Sequence, residues 1–206
     1  MPSMTEQEAC TPTPLNPNGF NLSAVLPYNL QIAHIQSTMQ EFIDFLSFVN
    51  NQLYTKNILR LESMLMSVNF SSMVGEFMSA SIPKYCPTLT KNRHHNGHPD
   101  LVPVGYYTDN DILHGTEGIE IKASRYTRGW QGHNPEDVWL MVFVFDSNRA
   151  KDTDPKKFKF ISVSGAQLHK EDWSFSGRSA NSRRTITASV MPSGFSKMSA
   201  NWIYSD

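Results

Sequence analysis

The sequence is short of cysteine, of charge and of long apolar runs, and each shortage excludes a class of protein. Two cysteines, Cys10 and Cys86, are too few for a disulfide framework and read as free thiols, Cys10 within a loosely ordered segment. Charged residues make up 18% of the 206, too few for a charge-rich disordered polymer or a coiled coil. No stretch approaches the ~18 consecutive apolar residues of a membrane span. Met1-Pro2-Ser3-Met4-Thr5-Glu6 lacks the basic start and apolar run of a signal peptide. The expectation is a soluble cytoplasmic protein with no membrane partner. Basic residues are scarce early: residues 1–83 carry two, Lys56 and Arg60, against six acids, whereas residues 149–184 carry nine against four. A formal net charge of −1 therefore hides a basic second half, the side on which a polyanion would be received.

What is present is enough apolar material, 39% of residues, for one domain with a substantial core. Residues 1–27 are broken by Pro2, Pro12, Pro14, Pro17 and Pro27 and read as an irregular arm. Residues 28–206 read as a single domain, with a helical part at 28–82 and a sheet-rich part at 99–206. Ile32, Ile35, Met39, Phe42, Phe45, Leu46 and Val49 recur at spacings of three and four, which predicts a helix to about Asn51. A second helix is expected from Thr55 or Asn57 to just before Pro83, with a possible break at 69–72. Strands are expected at Leu101–Tyr107, Ile119–Ala123, Val138–Phe145, Lys157–Leu168 and Arg184–Val190, and a closing helix at Phe195–Tyr204. Val138–Phe145 is apolar throughout, as a strand covered on both faces must be, and marks the centre of the sheet.

The chemistry is concentrated in His98-Pro99-Asp100 and Glu120-Ile121-Lys122. Glu120 and Lys122 are two apart in a strand, so both leave one face while Ile119 and Ile121 enter the core. Asp100 starts the preceding strand, and the Asp109-Asn110-Asp111 turn lets that strand run antiparallel to the next. Two carboxylates meeting at one point suit Mg²⁺, which keeps several waters and takes further ligands from phosphate oxygens. A neighbouring Lys can stabilise the charge that develops as a phosphodiester is hydrolysed.

On these residues the sequence resembles the PD-(D/E)XK nucleases, whose best known members are the type II restriction endonucleases. Pro99 and Asp100 stand where the family has its PD, and Glu120-Ile121-Lys122 where it has ExK. The resemblance implies an α/β fold of the restriction-endonuclease-like kind, with a mixed central sheet flanked by helices and here an N-terminal helical segment. It also implies a Mg²⁺-dependent endonuclease that cuts double-stranded DNA, in the restriction-enzyme case as a homodimer. Asp100 and Glu120 would hold the metal, Lys122 would assist the attacking water, and Glu76 on the second helix would be a further metal residue. A structure- or modification-dependent repair or defence nuclease, and a non-catalytic DNA-binding module, are the alternatives.

DNA contacts are expected from the basic and forked side chains that follow. Arg125, Arg128, Gln131, His133 and Asn134 lie in a loop without acids. Lys157 alternates with aromatics in a strand, and Arg178, Arg183 and Arg184 lie in a Gly/Ser-rich loop. For all of these, a solvated edge or loop is the competing interpretation. Cys86, His94, His95 and His98 lack the paired spacing of a zinc site, and His133-Asn134 lacks the partners of an HNH nuclease.

Overall fold

The spacing of apolar residues from Ile32 onward produces the expected helix, α2 (Ile32–Tyr54), whose Ile35, Met39, Phe42, Ile43 and Leu46 are buried. The fold, taken from a computed structural model, is described for residues 4–132, 135–176 and 187–206. Beside α2 lies α4 (Ser67–Tyr85), which buries Phe70, Val74, Met78 and Ile82. Phe42 of α2 meets Phe77 of α4 edge to ring, with centroids 5.2 Å apart.

The second helical region departs from the sequence-based expectation at both ends. The chain first forms the short α3 (Leu61–Met64), then extends through Leu65 and Met66 (ψ 146° and 143°) before α4 begins, so the break falls ahead of residues 69–72. At the other end α4 runs through Pro83 to Tyr85. A proline inside a helix costs about 3 kcal/mol, but each large apolar side chain fully buried contributes about 1.5–3 kcal/mol. The four on this face outweigh the penalty.

A six-stranded sheet lies against these helices in the order β1-β2-β3-β5-β6-β9. The strands are β1 (Leu89–Lys91), β2 (Leu101–Pro103), β3 (Ile119–Ser124), β5 (Val138–Asp146), β6 (Lys159–Leu168) and β9 (Trp202–Ser205). All neighbours are antiparallel except β3 and β5. A parallel pair needs a crossover, commonly a helix; here it carries β4 (Gln131–Gly132) instead. The second, three-stranded sheet joins β4, β8 (Thr187–Val190) and β7 (Trp173–Ser176) in that order.

β5 explains the layering. Val138 through Phe145 are all buried, because Trp139, Met141, Phe143 and Phe145 enter the core beneath α2 and α4. Val138, Leu140, Val142 and Val144 enter a second core with Trp130, Trp173 and Ala188 of the small sheet region and Met198 of α5 (Pro192–Ala200). The result is a mixed α/β protein with a mixed central sheet flanked by helices. Among the described residues no helix is long and apolar enough to cross a membrane.

Three further expectations are corrected. Val104, Tyr106 and Tyr107 leave the strand, since Gly105 takes a positive φ (75°) and turns the chain after Pro103. The closing helix is shorter and earlier, and Trp202–Ser205 becomes β9, which adds to the β6 edge. Cys10 is fully buried, and the arm is pinned to the body. Its α1 (Glu6–Ala9) starts with a Thr5/Glu8 capping box, the Thr13 N–H donates to the Phe158 carbonyl, and Phe20 bridges to Tyr204.

Candidate active site

Sheet register brings the two halves of the motif together. β2 and β3 pair antiparallel with Leu101 opposite Ile119, so Asp100, just before β2, reaches β3: its Oδ2 accepts the Ile121 N–H at 2.8 Å. Gly118 makes this approach possible. Its φ is 145°, and a Cβ there would lie 2.2 Å from the Leu101 carbonyl oxygen and 2.4 Å from Pro99 Cγ. On β3, Ile119 and Ile121 are buried in the helix-side core, while Glu120 and Lys122 leave the other face with Lys122 Nζ 2.7 Å from Glu120 Oε1. Asp100, Glu120, Lys122 and Glu76 all line one cleft of about 1020 Å³ between α4, the residues after β1, and β3.

Two residues that the sequence reading did not assign to the site complete its charge arrangement. His98 Nδ1 lies 2.9 Å from Glu120 Oε2, so Lys122 and His98 hold one oxygen each of that carboxylate. His98 Nε2 is 3.0 Å from Glu136 Oε2 but out of hydrogen-bonding alignment, so that contact is ionic. Burial alone would push the His98 imidazole down, but Glu120 and Glu136 overcome it and raise its pKa to about 9. Burial likewise opposes charge on Glu120, yet Lys122 and His98 hold its carboxyl well below the usual range. Asp100 moves the other way: burial first, then the Glu120 charge, push its carboxyl well above the usual range, against the pull of the Ile121 N–H and Lys122. Two carboxylates thus share a site in which only one carries its charge comfortably.

This donor set fits a hard divalent cation. Among the described residues, no three His, Cys, Asp or Glu side chains stand ready to enclose a metal. Mg²⁺ needs no such cage, being commonly bound by one or two carboxylates with water and phosphate oxygens. Asp100 and Glu120 supply two, and their mutual repulsion is what a cation between them would relieve.

Glu76 faces the same cleft from α4, but its carboxylate is two-thirds exposed and paired with Lys91 Nζ at 2.6 Å. Arg125, Arg128, Gln131 and Lys157, the described members of the expected DNA-contacting set, do not line the cleft. Arg125 turns inward: its terminal nitrogens donate to the Ser147 and Asn148 carbonyls at 2.7 and 2.9 Å, and its guanidinium lies over Phe70 and Phe145. Arg128 is exposed over the Phe195 ring, Gln131 is exposed on β4, and Lys157 is half-buried. His133, Asn134, Arg178, Arg183 and Arg184 lie outside the described residues. Among the described residues, the cations that line the cleft are Lys91, Arg93, His98 and Lys122. His98 was legible only as the residue before Pro99-Asp100 and as one of the histidines set aside as zinc ligands, and nothing in the spacing of Glu136 connects it to the motif.

Cys86 stays apart from the histidines, its thiol beside Thr88 Oγ1 at 3.2 Å. No protein-family model, curated protein or solved structure matches the chain.

Proposed function

We propose that the chain is a Mg²⁺-dependent endonuclease that hydrolyses phosphodiester bonds of double-stranded DNA, with its site built as in the PD-(D/E)XK nucleases. The observation that carries this reading is the convergence of Asp100, Glu120 and Lys122 from two adjacent antiparallel strands into one cleft. The order of α4, β2, β3 and β5, with a mixed central sheet, supports a restriction-endonuclease-like core. A sequence-specific type II restriction enzyme is the form we favour, by analogy with small chains of this kind. Two copies about a two-fold axis would present the site to both strands of a palindrome.

Within the site, Asp100 and Glu120 would hold the cation, which supplies Lewis acidity to the scissile phosphate. Lys122 puts an ammonium beside Glu120, where it stabilises negative charge developing on the phosphate and orients the attacking water. His98 fixes the second oxygen of Glu120, and Glu136 fixes His98 from the far side. The Ile121 N–H keeps Asp100 aimed at the same point.

The test is incubation of the purified protein with long phage DNA and Mg²⁺. Discrete fragments, abolished by EDTA, are expected. Asp100→Asn, Glu120→Gln and Lys122→Ala should each slow cleavage by about 10²-fold or more while keeping a cooperative melt. DNA left intact with both Mg²⁺ and Mn²⁺, or variants that cut at the parental rate, would overturn the assignment.

A further inference from the structure

We propose that the turn after β1, residues 92–98, is a phosphate clamp in which Arg93, positioned by Asn92, receives a non-scissile phosphate of the nucleic-acid backbone. This rests on the reading above that the cleft takes DNA, and it assigns backbone contact to a segment other than the basic loops the sequence suggested.

The turn is built rather than merely solvated. Asn92 is buried, and its amide is fully engaged: Nδ2 donates to the Pro99 and Ile112 carbonyls at 3.0 and 2.8 Å. Oδ1 accepts from the His94 and Ile112 N–H groups at 3.0 and 3.2 Å. The Arg93 N–H donates to the Asn110 carbonyl at 3.0 Å and the Gly97 N–H to that of His94 at 3.0 Å. Gly97 sits so close to this brace that a Cβ would lie 2.5 Å from the Ile112 carbonyl oxygen. A backbone tied at so many points gives up conformational freedom worth about 1–2 kcal/mol per residue. It fixes the direction in which Arg93 leaves.

Charge pairing singles out Arg93. Lys91 is held by Glu76, and Lys122 by Glu120. Among the described residues, Arg93 is the Lys or Arg of the cleft wall that has no carboxylate partner, and it is exposed. A guanidinium fork fits phosphate oxygens better than a point charge does. The acids of the cleft floor would repel a polyanion, so a rim cation free of internal pairing is what a DNA strand needs there.

The experiment measures binding of a short labelled duplex by fluorescence anisotropy, with EDTA present so that nothing is cut, from ~50 to 200 mM NaCl. Arg93→Ala should weaken binding about tenfold at the low-salt end and reduce the slope of log K against log salt by about 0.9, equally for unrelated sequences. Arg93→Lys should keep the slope. Asn92→Ala should reproduce the loss, and the double variant should lose nothing more. Unchanged slope and affinity in Arg93→Ala would overturn the clamp. A protein that binds with this Arg93-dependent slope yet never cuts with Mg²⁺ overturns the nuclease reading and leaves the clamp standing. A protein that cuts, with Arg93→Ala binding like the parent, does the reverse.

Discussion

Asp100 and His98 sit within one charge cluster, and the sign of each shift fixes how the metal-free protein responds to pH. The native state holds a proton on Asp100 at pH values where the unfolded chain has lost it. From about pH 4 upward, the folded protein therefore binds more protons than the unfolded one, and stability falls as pH rises. His98, raised from 6.5 to about 9, does the same in a higher window: its contribution is fully present below about pH 6.5 and is lost as pH rises through about 9. Glu120, depressed, acts in the opposite sense and only at the acid end, losing its contribution as pH falls below the ordinary carboxylate range. Urea unfolding across pH should show two declining segments. Asp100→Asn should flatten the lower and raise metal-free stability near neutrality by about 0.5–2 kcal/mol; His98→Gln should flatten the upper. A pH-independent profile would refute the arrangement. At this scale the sequence displayed Asp100, Glu120 and Lys122, because strand alternation alone aims Glu120 and Lys122 together. It could not display Glu136, whose part depends on where the chain returns after the crossover, nor the inward turn of Arg125, which is decided by two distant carbonyls.

The juxtaposition of β2 and β3 is the element on which the site depends, and Gly118 is its narrowest point. An added methyl at that residue would overlap the Leu101 carbonyl and the Pro99 ring in a backbone conformation that L side chains rarely adopt. The strands would have to separate, and Asp100 would lose the Ile121 N–H. Gly118→Ala should destabilise the protein by about 1–3 kcal/mol and lower cleavage out of proportion to the unfolded fraction. Gly129→Ala, at a positive φ but with open space around it, is the control for strain without collision. Equal stability of Gly118→Ala and the parent would show that the strands do not need this contact. Elements of this length were legible where their period was long enough to repeat: α2, β3 and the wholly apolar β5. The three-residue β1 and the four-residue β9 offer no period, and their pairing is set by neighbours far along the chain. The passage of α4 through Pro83 was hidden for another reason, since local propensity forbids it and only tertiary burial overrides that preference.

Across the whole molecule, one buried cation ties together segments that the sequence separates widely. Arg60 is 2% exposed and Glu62 fully buried, with Nη1 and Oε1 2.7 Å apart. Its Nε reaches Glu6 of the arm at 2.8 Å, its Nη2 the Asn148 side chain at 2.8 Å, and its Nη1 the Lys156 carbonyl at 3.1 Å. Asn50 at the far end of α2 donates to the other Glu62 oxygen at 2.9 Å. The arm, the α2–α3 junction and the β5–β6 connection thus converge on a residue that looks, in the sequence, like one of two scattered cations in an acidic stretch. Breaking such a pair strands its partner, whereas replacing both members with apolar side chains does not. Arg60→Met should cost about 3–5 kcal/mol, because it leaves the buried Glu62 carboxyl without its partner. Arg60→Met with Glu62→Met should recover most of that loss. Glu6→Ala, at an exposed carboxylate, should cost under about 1 kcal/mol. Chemical denaturation of the four proteins reads these differences directly. A cost below about 1 kcal/mol for Arg60→Met would mean that the arm and the β5–β6 connection hold their places without this cluster.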